Sequence, residues 1–273
     1  ATFFPAGDVL LLFVVVGVVL FLTRSWSDRA IGVAAVVLLL QPVEWYHYIA
    51  NLINPAHRLP DLKVAEMYGE VADYTKAGNW RDFLLGNVTL GQKASFLWAV
   101  NAGRFVQTAG LFLLGFFIGR KQLFMTNEKN IVFWTKVLII SAISFAPLYT
   151  LKELVMENDP IVQQTVGTAF DMWQKLAFTL VLVASFILLY QHKNFSKAVA
   201  GLRFYGKMSL TNYISQSIIG AFIYFPIGLN LAPYCGYTLS LLQLKFCKWW
   251  LARHKQGPLE YIWHKCTWIG TGK

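Results

Sequence analysis

Apolar runs recur along this chain at lengths close to the roughly 20 residues that an α-helix needs to cross the hydrocarbon of a bilayer. Candidate spans fall at about 8–23, 30–53, 94–118, 131–151, 165–190, 207–229 and 236–251. No other feature narrows the fold as far. Inside lipid every backbone N–H and C=O must be paired within the protein, which leaves helices or a closed barrel, and runs of this length select helices. Composition agrees: of 273 residues, 56% are hydrophobic and only 14% charged, against about 25% charged in an ordinary soluble domain. The expectation is an all-α, polytopic integral membrane bundle of about seven transmembrane helices, a single membrane-embedded domain over residues 1–273. The seventh segment is short and carries Lys245 and Lys248, so it reads either as an interfacial helix or as a span lacking a piece.

The formal net charge of +10 comes from residues placed between apolar runs. Arg24 and Arg29 follow the first run. Arg120, Lys121, Lys129 and Lys136 border the third, and Lys193, Lys197, Arg203 and Lys207 follow the fifth. Lys248, Arg253, Lys255, Lys265 and Lys273 lie in the tail. Segment 54–93 instead balances five basic with five acidic residues, and 152–160 is net acidic. Positive-inside reasoning makes 54–93 an extracytoplasmic loop and 252–273 a cytoplasmic tail, beside membrane lipid. No basic stripe with interleaved aromatics points to nucleic acid. One or two short helices are expected in 54–93, over the outer mouth. Asn87-Val88-Thr89 matches a glycosylation acceptor triplet, a pattern common by chance. Cys235, Cys247 and Cys266 form no C-x-x-C pair, so neither a disulfide framework nor a metal site is indicated. The opening Ala1-Thr2-Phe3-Phe4-Pro5 has no basic n-region, and upstream residues are expected to be absent.

Ionisable groups within apolar spans are costly and by default mark function. Glu44 and His47, three apart, share a face of span two, just after Pro42, which should kink the helix. Arg104 lies about ten residues into span three, near mid-bilayer by the helical rise. Asp171 and Lys175 stand four apart in span five, in the acid-first order that favours pairing. With Asp8 at a span edge, these residues map to the outer half, Arg104 just below the rest. One reading is a polar cavity open to the outside, with His47 or Glu44 as acid or base. The other is a set of ion pairs joining helices, Asp171–Lys175 and Glu44–Arg104, with His47 an interfacial histidine without chemistry.

Span six presents Ser209, Asn212 and Gln216 on one face, in its cytoplasmic half. Hydrogen bonding between helices is the plain reading; a polar vestibule for a cytosolic donor is the other. Gly115 and Gly119 make a small-residue face expected to pack helices. Trp45, Tyr46, Trp249 and Trp250 read as interfacial anchors.

Four stretches carry a family resemblance: Pro5-Ala6-Gly7-Asp8-Val9-Leu10, Gly110-Leu111-Phe112-Leu113-Leu114-Gly115, Gly206-Lys207-Met208-Ser209-Leu210-Thr211-Asn212-Tyr213 and Gly257-Pro258-Leu259-Glu260-Tyr261-Ile262-Trp263-His264. The chain resembles the bacterial YeiB-like membrane proteins, grouped with transmembrane acyltransferases that include the lysosomal enzyme acetylating heparan glucosamine. The resemblance implies a multi-pass protein of the bacterial cytoplasmic (inner) membrane with its C-terminus in the cytoplasm. It implies acyl-CoA as donor substrate, no firmly bound cofactor, and an extracytoplasmic acceptor. The outer cavity (Asp8, Asp171, Lys175) would hold the acceptor, and the Ser209–Asn212–Gln216 face would lie toward the donor. Family members begin with further spans and an Arg-Gly signature not found here, and have a longer apolar stretch after Leu242. Residues are therefore expected to be missing at both places.

An acyltransferase using His47, Glu44 and Arg104 is the first functional expectation. A transporter or flippase for a small polar or lipid-linked solute is the alternative, since transporters also place ionisable groups near the midplane; a non-catalytic scaffold is the third. The sequence leaves oligomeric state open.

Overall fold

The computed structural model describes residues 10–76, 78–231 and 238–268, with side chains in the last segment from Leu242 onward. Asp8, Cys235 and Lys273 lie outside the described residues. Every regular element among the described residues is helical. In chain order these are α1 (Leu10–Thr23), α2 (Asp28–Leu39), α3 (Pro42–Ile53), α4 (Val64–Lys76), α5 (Trp80–Gly86), α6 (Gln92–Asn101), α7 (Arg104–Arg120), α8 (Glu128–Met156), α9 (Pro160–Val162), α10 (Thr168–Tyr190), α11 (Lys193–Ala198), α12 (Leu202–Lys207), α13 (Ser209–Tyr224), α14 (Thr238–Leu251) and α15 (Pro258–Thr267). Widened π-helical turns join α5 to α6 and α9 to α10.

Two continuous helices are long and apolar enough to cross a membrane, Glu128–Met156 and Pro160–Tyr190. Two more qualify if each bent pair is one span: Asp28–Leu39 with Pro42–Ile53, bent by 47°, and Trp80–Asn101 with Arg104–Arg120, bent by 76°. By length and composition the described residues therefore hold two candidate spans, or up to four. The other three segments read as spans contain helices of 14, 16 and 14 residues, α1, α13 and α14.

The chain divides into two compact units. One comprises Val9–Val64 and Ser95–His192. Here Ser27 caps α2 by accepting from the Ala30 amide at 3.2 Å, and Asp28 sits in the first turn, where the helix dipole favours an anion. Asp28 then binds Arg120 at 2.9 Å and Lys121 at 2.7 Å, at the far end of α7. That pins α2 antiparallel to α7, with Ile31, Ala35 and Leu113 buried between them. Gly110 permits the close approach: a Cβ there would stand 2.9 Å from Leu39 Cγ. Gly115 and Gly119, expected to form the packing face, do not; a Cβ on either would meet nothing within 4 Å. Helix α1 joins this layer through Leu12 and Val16, which pack with Ala99 and Ala109.

Helices α8 and α10 pack along each other as a hairpin. Trp134 anchors its base: the indole is buried, donates to the Leu123 carbonyl at 2.8 Å and stacks on Phe124. The opposite face of α8 is apolar and open, with Ile143 69% exposed. Burial in water drives large side chains inward; lipid imposes no such sorting.

The other unit comprises Ala1–Asp8, Ala65–Ala94 and Lys193–Lys273. Phe83 of α5 is buried with Ala221 and Ile227 at the end of α13. Helices α4 and α5 are the short helices expected within 54–93. Tyr74 of α4 donates to Asn87 Oδ1 at 3.1 Å. Its phenol is pushed up to about 12 by burial, with Tyr68 adding to it, so it stays a donor at neutral pH. Asn87 is wholly buried, which removes the acceptor-triplet reading: its amide is not presented for a glycan in the folded protein.

Candidate functional site

The first polar constellation is built where two helices break. Pro42 lacks an N–H and disfavours helical backbone at the residue before it. Gln41 leaves the right-handed helical region, standing in a left-handed conformation (φ 58°), and α3 starts afresh at Pro42. The expected kink is thus a break. The Leu39 carbonyl near it receives the Trp173 indole N–H at 2.8 Å. The second break was not foreseen. Gly103 adopts φ +61° between α6 and α7, so Arg104 opens a new helix instead of lying within one.

The two breaks meet. Glu44, in the first turn of α3, is 5% exposed, and its Oε1 would stand 2.6 Å from a Cβ on Gly103. Gln41 Oε1 would stand 3.7 Å from the same Cβ. Gly103 thus serves both its left-handed φ and the room that Glu44 occupies. Gln41 is 1% exposed, yet neither its amide oxygen nor its nitrogen has a hydrogen-bond partner among the described residues. Arg104 Nη1 donates to Gln107 Oε1 at 2.9 Å and approaches Met172 Sδ at 3.8 Å, with the guanidinium 5.6 Å from the Trp98 ring centroid. Its Nε is buried and unpartnered among the described residues. The expected pairing of Arg104 with Glu44 or Asp171 is not what forms. Neutral Gln107 sits one turn along the same helix and takes the bond instead. A cation in the first turn of a helix opposes the helix dipole, so Arg104 is placed against helix stability. A buried carboxylate and an unsatisfied amide thus lie against Gly103, and the guanidinium of the next residue turns to Gln107, Met172 and Trp98.

His47 belongs to a neighbouring arrangement. Its Nδ1 lies 3.1 Å from His57 Nε2, the rings are stacked, and Asn51 holds the His57 carbonyl at 3.1 Å. Glu44 therefore does not orient the imidazole; His57, ten residues on, does. Asn51 also lines a cavity of about 570 Å³ with Arg58, Asp159 and Gln164. Asp171 and Lys175 pair at 2.5 Å, and Lys152 of α8 joins at 3.2 Å. Two lysines on one carboxylate clamp α8 to α10, an ion-pair role.

The second constellation lies in the other unit. Gln243 of α14 accepts from Tyr205 at 3.1 Å and from Gln216 at 2.6 Å, and donates to Ser215 at 2.9 Å and the Asn212 carbonyl at 3.2 Å. Asn212 donates to the Tyr205 carbonyl at 3.0 Å and accepts from Cys247 at 3.2 Å. Burial, with the Cys247 thiol beside it, raises the Tyr205 phenol above its ordinary value. Glu260 closes the arrangement: one oxygen accepts from the Thr211 amide at 2.9 Å, the other from its hydroxyl at 2.5 Å. A carboxylate on the Thr211 amide, in the first turn of α13, is a helix cap with favourable charge. Asn212 and Gln216 thus meet as expected, whereas Ser209 is exposed at the start of α13. Tyr205, Gln243 and Glu260 were not singled out from the sequence, although Glu260 lay within a quoted motif.

A sequence model of a family described as "Protein of unknown function (DUF418)" matches residues 118–270, more than half of the chain. An uncharacterized protein, YxaH, from Bacillus subtilis (strain 168) is 27% identical over 95 residues. That similarity covers 32% of this chain and 24% of YxaH, so the chain spans about a quarter of that relative's length. No solved structure matches. The second constellation lies within the matched range; Gln41, Glu44 and Arg104 lie before it.

Proposed function

The chain belongs to the DUF418 family, whose YeiB-like members it resembles, and from that premise we propose a membrane acyltransferase that uses Glu44 as general base. The observation that carries the reading is the burial of Glu44 against Gly103, the residue before Arg104, where two bent helices break. Acyl transfer needs a group to take the acceptor's proton as the new bond forms, and a positive group for the oxygen of the tetrahedral intermediate. In the proposed reaction the acceptor hydroxyl or amine gives its proton to Glu44 and attacks the thioester carbonyl of acyl-CoA. Arg104 holds the oxyanion, the C–S bond breaks, and the CoA thiolate leaves and takes up a proton. His47, tied to His57, shapes the approach on the acceptor side. In this reading about seven spans form one domain in the bacterial inner membrane, with 54–93 outside and the tail from residue 252 inside.

Glu44→Gln in the full-length protein, assayed in membranes with labelled acyl-CoA, should lower turnover by about 10²–10⁴-fold. Near-normal turnover would remove Glu44 from the chemistry. One observation favours a second reading, a transporter: discontinuous helices meeting at unsatisfied polar groups are a feature of solute sites in membranes. Solute counterflow in liposomes without consumption of acyl-CoA would decide for it.

A further inference from the structure

The loop between α14 and α15 and the end of α12 carry cations that the described structure leaves uncompensated. Lys207, Arg253 and Lys255 make no ion pair among the described residues. No carboxylate lines either cavity beside them, and the nearest along the chain, Glu260, spends both oxygens on Thr211. The loop is nevertheless built firmly. The Trp250 indole donates to the Gln256 carbonyl at 3.0 Å, closing it, and the His254 ring stacks on Trp250 with centroids 4.0 Å apart. Arg253 lies over the Trp249 ring at 5.0 Å.

This loop is the wall between two cavities. One, of about 470 Å³, is cationic, with Lys207 facing residues 253–255. The other, of about 740 Å³, shares Arg253, His254 and Lys255 but is otherwise aromatic and apolar, with Trp250 and Tyr261. Guanidinium and ammonium groups on a fixed loop suit phosphate oxygens, through charge-assisted hydrogen bonds. An adjoining apolar cavity with few polar groups suits the organic part of the same molecule. Loop cations alone would be explained by positive-inside topology; the paired cavities and the closed loop are not.

We propose that Lys207, Arg253 and Lys255, with Trp250 and Tyr261, bind an organic phosphate ester. Two sources share this chemistry: a soluble nucleotide thioester such as acyl-CoA, or the headgroup of an anionic phospholipid. The first source rests on the acyltransferase reading; phosphate binding itself does not.

The test uses the full chain in phosphatidylcholine nanodiscs. Binding of tritiated CoA is measured for the parent and for the triple variant Lys207→Gln/Arg253→Gln/Lys255→Gln. Retention of phosphatidylglycerol, doped into a second set of discs, is followed by native mass spectrometry. The three side chains are exposed, so the variant should fold, with an unchanged unfolding midpoint as the check. CoA binding weakened at least about tenfold in the variant supports the soluble source. Phosphatidylglycerol retained by the parent and lost by the variant, without CoA binding, supports the lipid source. Neither probe bound by the parent, or both bound equally by the variant, overturns the site. CoA bound by the parent protein without any acyl transfer would count against the proposed function and leave the phosphate site standing.

Discussion

Two buried glutamines, one in each unit, show how differently this protein treats polar groups. Gln243 is 6% exposed and Gln41 is 1% exposed. Gln243 uses both amide atoms, in four hydrogen bonds to α12 and α13. Gln41 uses neither with any described residue. A satisfied buried network fixes one arrangement of its helices; an unsatisfied buried amide lowers stability by about 1–3 kcal/mol. A cost of that kind, next to a buried carboxylate, is what a binding or reaction site carries. The network around Gln243 is therefore architecture, and the break around Gln41 is the place to look for function.

The largest effect should come from Gln243→Leu, which removes four hydrogen bonds at once and leaves only the Gln216–Tyr205 and Ser215–Asn212 bonds of the network. We expect a loss of about 3 kcal/mol, measured as the unfolding midpoint of the purified protein in detergent. A loss below about 1 kcal/mol would mean that the network is not architectural. Gly103→Ala comes next. A left-handed backbone costs a residue with a Cβ about 1–2 kcal/mol, and here the Cβ would also displace Glu44. Turnover should fall further than stability does; equal falls would make Gly103 merely structural. The smallest effect on stability should come from Gln41→Leu, which removes an unsatisfied amide and strands no partner in the described structure. Its unfolding midpoint should be unchanged, or raised by up to about 1 kcal/mol. A loss like that of Gln243→Leu would erase the distinction between the two regions.

Much of the first region was legible because charge is conspicuous in an apolar run. Glu44, Arg104, Asp171 and Lys175 stood out for that reason, and the four-residue spacing of the last two carried their pairing with it. Pro42 announced a kink at the first break, since its ring removes a helical hydrogen bond. The second break was invisible: Ala102-Gly103-Arg104 contains no proline, and a glycine in an apolar run is as often a packing contact, as Gly110 is. Misplacing that break misplaced Arg104, and with it the partner it was assigned. Partners far apart in sequence were illegible for a different reason. His57 lies in a proline-bearing loop, and nothing in its spacing points to His47. Glu260 sat in a quoted motif whose counterpart, Thr211, sat in another, yet only the folded chain brings them into contact. Neutral residues such as Gln41, Gln107 and Gln243 give no signal in composition, because an amide is ordinary until burial makes it expensive.

The Glu260–Thr211 contact has a consequence in time. The cap of α13 lies 49 residues downstream of the residue it caps. At synthesis rates of about 5–20 residues per second, Thr211 is polymerised roughly 2–10 seconds before the carboxylate that caps it. During that interval its first amides have only water, lipid headgroups or the insertion machinery to bond. A chain released before residue 260 never closes this helix, so a nascent or truncated protein carries an open helix end that the finished one lacks.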